Sequence, residues 1–416
     1  MNRIFFYPHH SGVVCSKSKA ELPVVSFSPQ LDGSLSNLKS NIHVCTPNPG
    51  NLIHSESPAR VFKCNINQSN KGNLSAVIKQ FNSVPEAAIF FNNNYDCLVL
   101  SFANDIRVNW QTDDHRRFSE LIKLLEIKVF IFGLGMQEPI DGGLEMLEPN
   151  IIELLNTLNS KAEFIGVRGY ETEKWLNENK INNAIALGCP SMYREPKNIL
   201  KAIKKSRGLM PKRVISAGYA HSKPRHKLLY DFLSRSTYER ADYIFQNDLF
   251  AVFNDVVLYD KSGFYNSAVQ EVDFSIVKSR LDKLHQNIQP FSKYYFFTNS
   301  NSWFQCNSFY DIFIGDRLHA AIASLLSGTP AILTFSDIRV KEIADFYGIP
   351  NCNVEELASH NLKSIVEKYF SIEKLDNFRI KYIENLESFH KICSEKNLKF
   401  IEDNTINEII ENTKSD

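Results

Sequence analysis

No two of the eight cysteines lie close enough to form a CxxC pair; they stand singly at 15, 45, 64, 97, 189, 306, 352 and 393. That removes the sequence basis for a zinc ribbon, a redox dithiol or a disulfide-stapled small domain, and leaves reduced, mostly buried thiols as the expectation. A surplus of either charge is also missing, since 47 basic residues face 47 acidic ones. Such a chain exerts no long-range pull on nucleic acid or an anionic bilayer, so nucleic acid is set aside as a partner and any anion site must be local. No run reaches the roughly 18 apolar residues of a membrane-spanning helix. The opening MNRIFFYPHHSGVVCSKSKAELP breaks its apolar run at Pro8, His9 and His10, short of a signal peptide's apolar region. The expected location is the cytoplasm. No histidine or carboxylate cluster has metal-ligand spacing, and no metal centre is expected.

What is present is a chain of 416 residues, 43% hydrophobic and 23% charged, too long for one comfortable core. Residues 1–40 show little periodicity and read as an irregular lead, or as a peripheral strand or two. From Asn41 short apolar runs alternate with amphipathic stretches. NIHVC, CLVLSF, KVFIFGLG, EFIGVR and AIALGCP are separated by segments such as FSELIKLLEI, MLEPNIIELLNTLNS and ETEKWLNENK. Runs rich in Val, Ile and Phe that alternate with helices signal an α/β fold with a mostly parallel sheet covered on both faces. Residues 191–212 are basic, lack a strand-like run and mark the expected domain boundary. A second series follows in RVISAGYA, DYIFQND, KYYFFT, DIFIG and AILTF, and the tail from Leu362 reads as helices. The expected layout is a lead (1–40), one α/β domain (41–200), a second (210–362) and C-terminal helices (363–416).

Ligands of such sheets gather at the carboxyl ends of the strands. Arg168 follows EFIGVR, Arg317 and His319 follow DIFIG, and Arg339 comes shortly after AILTF. Two basic side chains at a helix start, where the dipole is already positive, point to an anion. Arginine pairs its planar fork with carboxylate or phosphate and keeps its charge, whereas histidine exchanges a proton near neutrality. Each residue also has a structural alternative: Arg317 paired with Asp316 or Asp337, Arg168 with Glu171 or Glu173, and a histidine held by hydrogen bonds. In TPNPGNLIHSE, the residues Asn48, Gly50 and Asn51 either aim backbone donors at a ligand or form a tight turn into a helix. Gln246 either binds a sugar or caps its strand. FGLGM lacks the third glycine of a dinucleotide loop, so Gly133 and Gly135 read as close backbone packing.

GDRLHAAIASLLSGTPAILTFSDIRVKEIADFYGIP, residues 315–350, resembles the C-terminal signature of the polysaccharide pyruvyl transferase family, with TPNPGNL, IGVRGYET, ALGCPS, YIFQND and KYIENLESFHKI as supporting matches. The resemblance implies two Rossmann-like domains facing across a cleft, similar to GT-B glycosyltransferases. The first would lie on the acceptor side and the second on the donor side. It implies transfer of the enolpyruvyl group of phosphoenolpyruvate to two hydroxyls of a sugar, forming a pyruvate ketal in exopolysaccharide, capsule or cell-wall glycan synthesis. No cofactor is implied. His319 and Arg317 would be catalytic, Arg168, Arg317, Leu318 and Arg339 would bind the donor, and Asn48, Gly50, Asn51 and Gln246 would meet the acceptor or shape its loop. The acceptor would be a sugar or lipid-linked oligosaccharide, which leaves room for peripheral association with membrane-bound glycan machinery at the inner face of the membrane. Asp316 and Ala320 replace the small residue and the glycine usual in the family. Two other readings compete. One is a nucleotide-sugar glycosyltransferase in which Glu342 holds a ribose, and the other is a non-catalytic glycan-binding relative.

Overall fold

The alternating apolar runs condense into two sheets in the computed structural model, which describes residues 2–7, 34–35, 38, 48–254, 263–285, 290–335 and 338–415. The first contains β1 (Ile4–Tyr7), β2 (Asn70–Lys71), β3 (Cys97–Ser101), β4 (Lys128–Leu134), β5 (Phe164–Val167) and β6 (Ala184–Ala186). Their order is β2-β1-β3-β4-β5-β6, with every pair parallel. The second contains β7 (Arg213–Ser216), β8 (Arg240–Ile244), β9 (Tyr265–Asn266), β10 (Glu271–Val272), β11 (Tyr294–Tyr295), β12 (Ile312–Gly315), β13 (Ala331–Phe335) and β14 (Asn351–Asn353). Its order is β14-β13-β12-β7-β8-β11-β10-β9, and only the β9–β10 and β10–β11 pairs at one edge are antiparallel. Strands such as CLVLS and IFIG are buried at every position, as parallel strands covered by helices on both faces must be.

The first strand departs from the sequence expectation. Residues 1–40 read as an irregular or peripheral lead, yet Ile4–Tyr7 lies inside the sheet, paired with both β2 and β3. Four consecutive buried residues carry no alternation to detect, and Pro8 ends the run. The run NIHVC lies outside the described residues. Segment 191–212, expected as a boundary, folds as a short 3-10 turn and the helix Pro196–Ser206, which buries Ile199, Ala202 and Ile203. That helix packs on Leu318–Leu326 and Ile372–Glu395.

The tail is helical, with Leu362–Tyr369, Ile372–Glu395 and Asp403–Ser415. Its long helix returns to the first sheet. Phe389 stacks on Tyr193 at 4.0 Å between ring centres and meets Phe62 and Phe132. A single buried cluster therefore runs from Phe6, Phe132 and Phe164 of the first sheet to Val214, Ile314 and Leu333 of the second. The opposite face of the first sheet has its own core around Leu98, Ile131 and Ile165. Among the described residues no helix is long and apolar enough to cross a membrane.

Candidate active site

Five strands deliver their carboxyl ends to one region. Beyond β5 comes Arg168, beyond β7 Gly218 and Tyr219, beyond β8 Gln246 and Asp248, beyond β12 Asp316, Arg317 and His319, and beyond β6 Cys189. The helix Gly50–Val61 closes the group from the first half and packs on the helix Leu318–Leu326. Close approach at Gly50 explains the glycine. A Cβ there would lie 2.9 Å from Gln246 Oε1, 3.1 Å from Asn48 Oδ1 and 3.1 Å from His319 Cβ. Residues 48, 50, 246 and 319 thus share one small volume.

Arg317 sits immediately before the helix Leu318–Leu326, whose first turn receives no side-chain cap. It is buried, and three contacts fix its plane. Nε donates to the Gly218 carbonyl at 2.8 Å, the guanidinium lies 3.6 Å from the Tyr219 ring centre, and Nη2 is 3.6 Å from Asp248 Oδ1. Nη2 has no hydrogen-bond partner among the described residues. The fully buried Asp248 carboxylate accepts from the backbone N–H of Gln246 (2.7 Å) and Ala220 (3.2 Å) and from the Tyr243 hydroxyl (2.8 Å). It anchors Arg317 and the Gln246 backbone together. The buried Gln246 Nε2 likewise lacks a hydrogen-bond partner among the described residues. Two buried donors with unused capacity, on residues joined through Asp248, are costly unless something accepts from them.

Arg168 is buried too. Its Nε donates to the Gly133 carbonyl at 3.0 Å and its Nη1 to Asn104 Oδ1. Its charge reaches His319, a half-buried imidazole whose pKa is pushed down to about 3 by burial and then by Arg168. Without a ligand His319 is therefore neutral at physiological pH. Its ring centre is 5.7 Å from that of His54 on the helix Gly50–Val61. His54 fits because Gly133, at φ 71°, has no side chain: a Cβ there would come within 2.7 Å of the imidazole. Cys189 Sγ is 3.5 Å from His54 Nδ1 and 2.8 Å from the Ser191 hydroxyl.

The sequence-derived residues divide clearly. Asn48, Gly50, Gln246 and His319 come together, and the charge of Arg168 acts on His319. Arg317 connects to them through Asp248. The backbone donors of the 48–51 turn do not face outward, because Asn48 Oδ1 accepts from Gly50 N–H at 3.1 Å and Asn48 O from Asn51 N–H at 2.9 Å. Leu318 is partly buried against the core at the helix start. Arg339 belongs to the helix Ile338–Tyr347, and its side chain, like Asp337, lies outside the described residues. Glu173, one of the two local acids weighed for Arg168, accepts from the Ala186 N–H at 2.9 Å. Arg317 leans on Asp248 rather than Asp316. Glu342, the residue the glycosyltransferase reading gives to a ribose, accepts from the Thr172 N–H at 2.8 Å and the Thr172 hydroxyl at 3.2 Å, capping the helix Tyr170–Glu178 from the other half.

Asp316 is buried, and its pKa is raised to about 7 by burial, against the opposing pull of Arg317 and Arg225; Arg225 Nη1 is 3.7 Å from it. Arg225 and Arg317 both lie against Tyr219, at 4.2 and 3.6 Å from its ring centre. Tyr219, Asp248, Asn104, His54 and Cys189 carry no assignment in the sequence reading. All but Asn104 fall inside runs quoted above, YIFQND, RVISAGYA, TPNPGNLIHSE and ALGCPS, but nothing local sets them apart from other polar residues there. The expectation of no metal centre rested on local spacing, yet His54, Cys189 and His319 place one ligand atom each within 4.8 Å of one another.

A sequence profile described as polysaccharide pyruvyl transferase matches residues 30–336. Among curated proteins, none matches the chain. Solved structures with some similarity include an alpha,alpha-trehalose-phosphate synthase (UDP-forming) from Burkholderia xenovorans, in complex with glucose-6-phosphate. It is 12% identical over 74% of this chain and 75% of its own, with a TM-score of 0.40. A UDP-GlcNAc 2-epimerase from Neisseria meningitidis, bound to UDP-GlcNAc, is 10% identical over 92% of this chain and 99% of its own, with a TM-score of 0.40.

Proposed function

Because the chain belongs to the polysaccharide pyruvyl transferase family, we propose that it transfers the enolpyruvyl group of phosphoenolpyruvate to two hydroxyls of a glycan sugar, releasing phosphate and leaving a cyclic ketal. One observation carries this reading: Gln246 Nε2 and Arg317 Nη2 are both buried and both without a hydrogen-bond partner among the described residues, Gln246 lying beside His319 and Arg317 joined to Gln246 through Asp248. A small polyanion satisfies such donors, and Arg168 and Arg317 supply positive charge at separate strand ends. Arg339 is assigned to the same donor by the family signature. The second sheet is then the donor side and the first, with Asn48 and Gly50, the acceptor side.

The chemistry asks for a group that moves protons in both directions. One sugar hydroxyl adds across the enol double bond, its oxygen bonding to the carbon that bears phosphate while the methylene carbon receives a proton. The second hydroxyl displaces phosphate and closes the ring, and its proton leaves on a base or on the phosphate. His319, neutral before the donor binds, is suited to take a hydroxyl proton. A bound dianion raises its affinity for protons, so the imidazolium can then protonate the methylene carbon.

Incubation with labelled phosphoenolpyruvate and capsule or exopolysaccharide intermediates tests the reading. Acceptor-dependent phosphate release and label in the glycan are expected. His319→Ala should abolish turnover, whereas Arg317→Ala and Arg339→Ala should mainly raise the KM for phosphoenolpyruvate. Undiminished phosphate release from His319→Ala would overturn the assignment.

A further inference from the structure

His54, Cys189 and His319 come from three distant parts of the chain: the helix Gly50–Val61, the segment after β6, and the helix Leu318–Leu326. One ligand atom from each lies within 4.8 Å of the others. A zinc ion bound at about 2.0–2.3 Å to nitrogen and sulfur holds its ligand atoms roughly 3.3–3.8 Å apart. The Cys189 Sγ to His54 Nδ1 distance of 3.5 Å already meets that requirement. The pairs that involve His319 lie within 4.8 Å, so they need a closure of at most about 1.5 Å to reach that spacing. The surroundings are shaped for the ligand residues as well. Gly133 leaves space that a Cβ would take from the His54 ring, and the Ser191 hydroxyl at 2.8 Å from Cys189 Sγ orients the sulfur from behind.

We propose that these three side chains form a binding site for a zinc-type ion, with a fourth position open to an exogenous anion, and that an ion held there switches the enzyme off by occupying His319. Two imidazoles and a thiolate are a donor set that selects zinc over magnesium or calcium, which take oxygen ligands. Binding displaces the Cys189 thiol proton to solvent, and no oxidation change accompanies it. The Arg168 guanidinium opposes the cation. The thiolate offsets part of that repulsion, and an anion in the fourth position offsets more. Zinc bound in this way removes the imidazole lone pair that would accept the hydroxyl proton. The inhibitory half of the proposal rests on the function proposed above; the binding half does not.

The full-length protein, stripped with a chelator and dialysed, is titrated with Zn2+ against a chromophoric competitor, and in parallel with Co2+. Wild type should bind one equivalent, and the Co2+ form should show a thiolate-to-cobalt charge-transfer band with tetrahedral d–d absorption. Cys189→Ser should lose the charge-transfer band, and both Cys189→Ser and His54→Gln should bind Zn2+ at least about tenfold more weakly, because loss of even an outer partner of a metal site costs about 10–100-fold. Unchanged melting temperatures of the stripped variants identify the loss as that of a ligand. Two outcomes overturn the site: no stoichiometric binding by wild type, or equal affinity in wild type and both variants. Zinc bound to this site with turnover undiminished overturns the inhibitory role, and this is read separately from whether phosphoenolpyruvate is the donor.

Discussion

Three side chains around Arg317 carry separable consequences. Tyr219 gives one ring to two guanidiniums, those of Arg225 and Arg317. A cation–π contact is worth about 0.5–2 kcal/mol, so Tyr219→Leu should weaken phosphoenolpyruvate binding roughly 2- to 30-fold with little change in kcat, measured by steady-state kinetics. Asp316 is a carboxyl that the fold keeps protonated up to a pKa of about 7. An unfolded carboxyl titrates near 3.9, so between about pH 4 and 7 the native state holds a proton that the unfolded state has lost. That proton stabilises the fold fully below this window, and its contribution falls as pH rises through it. The melting-temperature difference between Asp316→Asn and the parent should therefore grow in favour of the variant from pH 4 to 7 and then level off. A difference that is constant with pH would refute the assignment. His319 behaves in the opposite sense, since burial and Arg168 hold it neutral. Donor binding to the metal-free protein should draw a proton onto it, visible as buffer-dependent calorimetric enthalpy, and His319→Gln should abolish that uptake.

At the level of the element, two glycines separate function from fold. Gly50 opens its helix beside His319 and Gln246, and an alanine there presses on both side chains at 2.9–3.1 Å. Gly50→Ala should lower kcat/KM at least about tenfold, in keeping with the sensitivity of catalysis to small misplacement, with a modest change in melting temperature. Gly315 ends β12 against the backbone of Ala217, where a Cβ would stand 2.2 Å from the carbonyl oxygen. Neighbouring backbone cannot yield as a side chain does, so Gly315→Ala should cost stability by several degrees of melting temperature. Glu342 provides a third case, because its carboxylate caps the helix Tyr170–Glu178 across the two halves. Loss of an N-terminal cap costs about 0.5–2 kcal/mol, and Glu342→Ala should show it in denaturant midpoints.

For the whole molecule, the decisive fact is one apolar cluster shared by both sheets and the returning helix Ile372–Glu395. Phe389 touches Phe62, Phe132 and Tyr193 and is fully buried. Phe389→Ala should cost about 3–5 kcal/mol. A shared core also predicts a single calorimetric unfolding transition for the chain, and two separated transitions would contradict it. Against this background the sequence was legible where physics is local. The runs CLVLS, RVIS, IFIG and AILTF declare buried strands by composition, and Arg168, Arg317 and His319 declare themselves by standing just beyond strands. Ile4–Tyr7 was opaque because a short, wholly buried strand has no alternation. Asp248 and Tyr219 were opaque because a polar residue after a strand is commonplace, and only contact with Arg317 gives it a task.

By itself, then, the order of residues determined the alternation of strand and helix, the parallel character of the sheets and the family to which the chain belongs, since all three depend on neighbours a few positions apart. Tertiary structure decided which strand-end residues meet. It joined His54, Cys189 and His319 from separate segments, gave Arg317 to Asp248 and Tyr219, spent Glu342 on a helix cap and turned the tail back onto the first sheet. Such pairings are set by chain path and packing between halves, and no local periodicity encodes them.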